Sequence, residues 1–286
     1  MKRPAKHLRL GRSLAGDIVN VIFLVCVALF MALPLVFAIS SAFKPLDEIF
    51  VYPPRFFVNR PTLDNFSDLM MIMNSSWVPF TRYLFNTLLL TVSGTLGNVI
   101  VCSMAAYMLE KRDFPGAKLL FRFVVLALMF SVAVTAIPNY IIMSRLGWID
   151  TYLSLIIPAM ATPLGLFLMK QFMSGVPDSL LESARLDGAG EWRIFSMIVM
   201  PLVRPAWLTL IIFSFQGLWG MTGGIYLFSE EIKTLPYAFN QIMAGGIART
   251  GVGSAVALLM MSVPIVVFIF SQSRILQTMA ASGIKE

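Results

Sequence analysis

The sequence is poor in charge. Of its 286 residues, 13% are Asp, Glu, Lys or Arg, about half of the roughly 25% found in a soluble domain. So few ionised side chains cannot cover a water-facing surface, which excludes an ordinary soluble globule. Histidine is nearly absent: the single one, His7, lies in a basic N-terminal tail. That excludes H-E-x-x-H zinc sites and His-based nucleophile triads. Cysteine is scarce too. Cys26 and Cys102 both fall inside long apolar runs, cannot build a disulfide framework and read as small apolar packing residues. No G-x-x-x-x-G-K-[S/T] occurs, so the chain has no phosphate-cradling loop and any energy input comes from a partner. Carboxylates lie almost wholly between the apolar runs. The absence of an aspartate pair inside a run argues against an intramembrane protease or a carboxylate-driven pump. There is no heptad pattern, short repeat or low-complexity segment.

What the sequence has in abundance is apolar length. Hydrophobic residues make up 58% of the chain and the mean hydropathy is +0.80. Six charge-free runs of about 20 residues, enough to cross a bilayer as a helix, cover 18–43, 83–109, 123–144, 151–169, 206–229 and 250–273. They are too long and too uniformly apolar for barrel strands. The fold class is therefore an all-α integral membrane protein: a basic tail (1–17), a six-helix domain (18–273) and a C-terminal tail (274–286). Pro34, Pro138, Pro158, Pro163 and Pro264 should kink their helices. The first run follows Lys2, Arg3, Lys6, Arg9 and Arg12 and contains Ala38-Ile39-Ser40, as a signal peptide could, but it exceeds the usual h-region and reads as a retained helix.

A net charge of +7 could suggest nucleic acid, but the placement of the basic residues argues for membrane topology instead. With the N-terminus inside the cell, 15 of the 22 Lys and Arg residues fall on cytoplasmic segments, so both termini are expected there. The same count places the segment between spans four and five in the cytoplasm. In that segment Pro177 suits the first turn of a helix and Asp178 complements its dipole. Leu180, Leu181 and Ala184 line one side, and Gly188 is placed to end the helix in a turn. Ile194, Phe195 and Ile198 then recur at helical spacing, and Pro201 and Pro205 lead into span five. The pattern predicts a short helix–turn–helix across 177–200 with its charges pointing away from lipid.

This stretch resembles the EAA motif of ABC-importer permeases, written E-A-A-x-x-D-G-A-x(5)-F-x-x-I-x-x-P-L-x-x-P. Glu182, Ala184, Asp187, Gly188, Ala189, Phe195, Ile198, Pro201, Leu202 and Pro205 match in register, and Ser183 stands where the family has Ala. The layout of six spans with a long first external loop is similar to the second permease subunit of carbohydrate importers of the maltose and multiple-sugar type. The resemblance implies a type I importer permease fold in a bacterial or archaeal cytoplasmic membrane, without catalytic residues or a metal. It implies four kinds of partner. They are a second homologous permease subunit in a heterodimer, two cytoplasmic ATPase subunits carrying ATP and Mg, an extracytoplasmic solute-binding protein, and the bilayer; nucleic acid is not among them. It makes 177–200 a coupling region in which Glu182, Ser183, Ala184, Asp187, Gly188, Ala189 and Phe195 engage the ATPase. Glu182 would be its polar anchor, with a local pair to Arg185 as the alternative. Asp187 would hold the turn by bonding nearby backbone amides.

Polar side chains inside the expected spans either bond neighbouring helices or line a wet path. Asn86, Asn139 and Gln216, with the aromatics Tyr140 and Trp219, are the candidates for a substrate path; Asn98 belongs with them by type. Ser93 and Gly97 have small-xxx-small spacing suited to helix packing. Outside the spans, residues 44–82 carry Pro53-Pro54, Phe56, Phe57 and Trp77, suited to a partner or the membrane interface. Gly223-Gly224 and Gly245-Gly246 flank Lys233-Thr234-Leu235-Pro236, and this glycine-rich loop reads as a contact for the binding protein. Trp219 is followed by Gly220-Met221-Thr222, not by the W-N-D type sequence of many carbohydrate permeases. Two alternatives stand beside the sugar reading. One is a permease for a non-sugar solute; the other is a secondary transporter or channel acting without an ATPase, which would leave the motif unexplained.

Overall fold

The computed structural model describes residues 14–246 and 249–282. Every regular element among them is helical. In order they are α1 (Leu14–Ala42), α2 (Leu46–Ile49), α3 (Asp64–Asn74), α4 (Phe80–Lys111), α5 (Ala117–Ala127), α6 (Val132–Arg145), α7 (Leu153–Met160) and α8 (Pro163–Ser174). After these come α9 (Asp178–Leu186), α10 (Glu191–Ile194), a π-helical turn (Phe195–Val199), α11 (Met200–Leu202), α12 (Arg204–Trp219), a 3-10 turn (Glu230–Ile232), α13 (Leu235–Met243) and α14 (Thr250–Ser282). Residues up to Leu69 together with Gly246–Leu258 form one compact unit; Met70–Gly245 with Leu259 onward form the other.

Among the described residues, four helical segments are long and apolar enough to cross a membrane: Gly16–Ala42, Phe80–Lys111, Leu153–Ser174 and Thr250–Ser271. Two bent pairs bring the number to six when each counts as one span: Ala117–Ala127 with Val132–Arg145, and Glu191–Leu202 with Arg204–Trp219. The expected boundaries shift accordingly. The third run, read as one span over 123–144, breaks between α5 and α6 by 114°. The break falls before Ser131, whose extended backbone opens α6, and not at Pro138. The fifth, expected to reach 229, leaves the helix after Trp219 in a glycine-rich segment. The sixth continues to Ser282, so most of the expected C-terminal tail is helix. Residues 1–13 of the N-terminal tail and 283–286 lie outside the described residues.

In the larger unit α4 is the central helix, packed against α7, α8 and α12. Two glycines make the approach close. A Cβ at Gly94 would lie 2.6 Å from Leu218 Cδ1, and one at Gly97 would collide with the Met160 side chain. Prolines set the second feature of the packing. Pro163 has no N–H, so it vacates the carbonyl four residues earlier and pushes Thr162 into extended backbone. The vacated carbonyl, that of Ala159, accepts from Asn98 Nδ2 at 2.7 Å; the same amide donates to Thr162 Oγ1 at 2.9 Å. Asn98 Oδ1 accepts from Ser214 at 3.0 Å, so one buried amide ties α4 to α7, α8 and α12. Pro264 repeats the arrangement. It vacates the Met260 carbonyl, which accepts from the Trp219 indole at 2.9 Å. In lipid no water can fill such gaps, so a neighbouring helix does.

Candidate functional site

The motif segment folds as a hairpin. Pro177 is the N-cap of α9, one position earlier than expected, with Asp178 in the first turn. Leu181 and Ala184 face inward and join a buried cluster with Ala106, Tyr107, Met169, Met173, Ile194 and Val199. The outward side carries Glu182, Ser183, Leu186 and Asp187, with Leu186 89% exposed. Gly188 adopts a left-handed backbone, φ +79°. Its amide donates to the Arg185 carbonyl at 3.0 Å, and the Ala189 amide reaches back to Ala184 at 2.9 Å. These two bonds define a Schellman end, in which only glycine takes the left-handed position without strain. The spacing A-x-x-D-G-A is thus a helix C-terminus written in sequence. The turn is held by backbone alone: the Asp187 carboxylate, expected to bond nearby amides, makes no hydrogen bond among the described residues. Nor does Glu182, whose alternative partner Arg185 bonds Glu191 Oε1 instead, at 3.0 Å.

The second half of the hairpin contains a π-helical turn where a continuous α-helix was expected. Phe195 and Val199, at the two ends of this turn, both point inward. Phe195 is 8% exposed, with its ring 5.4 Å from Tyr107 and 5.5 Å from Trp192. Phe195 and Ala184, grouped with the ATPase contacts by the motif, therefore face the bundle and hold the hairpin on it. At the 80° bend into α12, the Trp207 indole donates to the Met200 carbonyl at 3.0 Å.

Lys111, Arg112 and Lys170, which entered the sequence reading only through the count of basic residues, tie this hairpin and α8 to α4. Lys111, at the end of α4, donates to the Val176 carbonyl at 2.6 Å and to Asp178 Oδ1 at 2.8 Å. Glu191 accepts from the Tyr107 hydroxyl at 2.8 Å and from Arg185, and pairs with Arg112. Lys170 pairs with Glu110, its ammonium 4.4 Å from the centre of the Phe121 ring. The available signal was a cluster of Lys and Arg following the second apolar run, facing the carboxylates of the motif.

A second polar network lies at the other end of α4. Tyr83 and Tyr107, 24 positions apart, are separated by about 36 Å along the axis at 1.5 Å per residue, slightly more than a hydrocarbon core of ~30 Å. Asn86 Nδ2 donates to the carbonyls of Glu231 and Lys233, both at 2.8 Å, and its Oδ1 accepts from Tyr152 at 2.7 Å. The Tyr83 hydroxyl donates to Glu230, which also holds Lys233. Asp150 receives the amides of Phe228 and Ser229 at 2.7 and 2.8 Å, and the Ser229 hydroxyl. The Ser229 bonds, then Phe228, and Lys233 at longer range, outweigh burial and hold the Asp150 carboxyl below its ordinary 3.8.

The substrate-path candidates separate into two groups. Asn86 and Trp219 are buried and fully bonded within the chain, as Asn98 is. Asn139 and Gln216 are exposed, and Tyr140 is half-buried with its ring 6.2 Å from Tyr226. The structure does not bring Asn139 and Gln216 into one described contact.

Long apolar helices that carry a firmly anchored hairpin define a helical membrane protein. The comparisons narrow this class. Residues 98–280 match the family described as binding-protein-dependent transport system inner membrane component, and the chain belongs to that family. It is 27% identical to the arabinooligosaccharides transport system permease protein AraQ of Bacillus subtilis strain 168, over 92% of this chain and 94% of AraQ. It is 28% identical to the sn-glycerol-3-phosphate transport system permease protein UgpE of Escherichia coli O1:K1, over 84% and 87%. A solved bacterial ABC transporter involved in import of the acidic polysaccharide alginate shares the fold, with a TM-score of 0.76 and 20% identity, covering 92% of this chain and 98% of that one. The fold is the type I importer permease fold.

Proposed function

We propose that this chain is one of two permease subunits of an ATP-driven importer and that its solute is an oligosaccharide. In this reading α9 is the coupling helix. It lies in the cytoplasm with both termini and docks in a groove of an ATPase subunit, which binds ATP and Mg; this chain contributes no catalytic residue and no cofactor site. The observation that carries the reading is the outer side of α9. Glu182 and Asp187 have no partner among the described residues, although the inner side of the same helix is buried. A carboxylate left free beside an exposed leucine suits a basic, partly apolar groove on another protein. Ser183 bonds its own helix at Ser179 and leaves that side small.

The oligosaccharide assignment draws on the relationship to AraQ and on the fold shared with the alginate importer. Gln216 on α12 and Asn139 on α6, with Tyr140, are the polar and aromatic groups free to line the path. UgpE favours a second reading of the solute, a phosphorylated polyol. The test is ATP hydrolysis by the reconstituted complex of both permeases, the ATPase and the binding protein, measured across a panel of oligosaccharides and glycerol phosphates. Stimulation by one oligosaccharide class is the expected outcome. Stimulation by glycerol phosphate alone selects the second reading, and solute flux through this chain without an ATPase overturns both.

A further inference from the structure

The hairpin is held at both ends by charged groups of one helix, and its covalent neighbours α8 and α12 are not the ones that supply them. At the start of α9 no side chain caps the helix. The chain there is held instead by the Lys111 ammonium, which donates to the Val176 carbonyl and to Asp178, with only 4% of the Lys111 side chain exposed. Beyond the end of α9, Glu191 collects Arg185 from α9, Arg112 from just past α4 and the Tyr107 hydroxyl from within α4. Two cations and a phenol on one carboxylate leave that cluster with a net positive charge. Between the two anchors, Leu181 and Ala184 sit in the same apolar cluster as Ala106 and Tyr107. Helix α9 spans nine residues, about 13 Å. Gripped at both ends, it cannot tilt or slide against α4 without breaking charge-assisted bonds, which are roughly twice as strong as neutral ones.

From this geometry we infer that α4 is the lever that carries displacement of α9 into the bundle, and that Lys111, Arg112 and Glu191 are positioning residues that clamp α9 to it. The inference rests on the coupling reading above and adds the route. α4 reaches the proline break between α7 and α8, and α12, through Asn98, and its far end holds the 230–235 segment through Asn86 and Thr87. A push on Glu182 therefore moves a helix bonded to the opposite end of the bundle. The competing route runs along the covalent linkers Gly175–Pro177 and Gly188–Gly190.

The experiment uses the reconstituted complete complex and records solute moved and ATP hydrolysed together. Glu191→Gln and Lys111→Gln are expected to keep hydrolysis while the solute-to-ATP ratio falls about tenfold, within the range of typical coupling energies. Glu191→Asp, which keeps the charge, is expected to recover most of the ratio. A packing defect would lower the melting temperature instead, with no rescue by charge. An unchanged ratio in both Gln variants overturns the clamp. Should Glu191→Gln fail to assemble, Arg112→Gln and Arg185→Gln each leave Glu191 with one cation and Tyr107; an unchanged ratio in both of these also overturns it. A wild-type complex whose hydrolysis ignores solute refutes the coupling reading itself, whereas tight coupling in wild type and variants alike removes only the clamp.

Discussion

Glu182 and Arg185 stand one turn apart on α9, yet one faces outward alone and the other is spent on Glu191. This separates function from stability at single positions. Glu182→Ala removes no bond within the chain, so the melting temperature of the isolated subunit should hold, as for surface changes within about 0.5 kcal/mol, while solute-stimulated hydrolysis in the complex falls. Gly188→Ala behaves differently. Its Cβ would meet nothing within 4 Å, but the backbone at φ +79° is strained for any L side chain. The expected cost is about 1 kcal/mol, read as fraying of α9 in hydrogen exchange. Gly188→Trp adds bulk on the partner side and should uncouple hydrolysis from transport. Asp150 offers a pH test. Its folded carboxyl titrates below 3.8, so the 228–229 segment gains stability above the ordinary carboxylate range and loses it as pH falls through the depressed value. Exchange protection of the Phe228 and Ser229 amides should be flat through neutral and mildly acidic pH and collapse only below 3.8; Asp150→Asn should lower it throughout.

At the scale of elements, the prolines matter through the carbonyls they vacate. Pro163 and Pro264 each leave one carbonyl for a side chain of another helix, Asn98 for Ala159 and Trp219 for Met260. Trp219→Phe loses the donor and part of the buried indole volume; it should cost about 1 kcal/mol or more in detergent unfolding and leave solute affinity unchanged. Gln216→Ala is its counterpart, leaving unfolding unchanged and altering the solute concentration at half-maximal hydrolysis. The reverse pair of results would return Trp219 to the substrate path. The same accounting explains why polar type alone could not sort these residues. Asn86 and Asn139 look alike in sequence, and only the position of the Glu231 and Lys233 carbonyls, some 145 positions away, makes the first a structural bond.

For the molecule as a whole, α4 joins two polar networks at its ends through a mid-section of glycine contacts and Asn98. That plan was partly legible. Hydropathy located the apolar runs because lipid demands uninterrupted helices. It missed the 114° break between α5 and α6 and the end of α12 at Trp219, because a bend costs no hydrophobicity. The end of α9 was legible in D-G-A, since glycine takes a left-handed position at the least cost. The π-helical turn was not, because Phe195 and Val199 satisfy a helical pattern as well as a bulged one.

The membrane class, the lack of a G-x-x-x-x-G-K-[S/T] motif and the hairpin with its glycine turn were readable from the chain alone. These follow from local composition and backbone sterics, which need no knowledge of distant residues. Which polar groups are free depends on the packing of distant segments. Lys111, Arg112 and Glu191 are ordinary charges in the chain and become anchors because folding brings α4 against α9; Asn86 and Trp219 are used up by carbonyls from remote segments. Pairing depends on which groups folding brings within hydrogen-bond reach, and a one-dimensional pattern does not contain that distance.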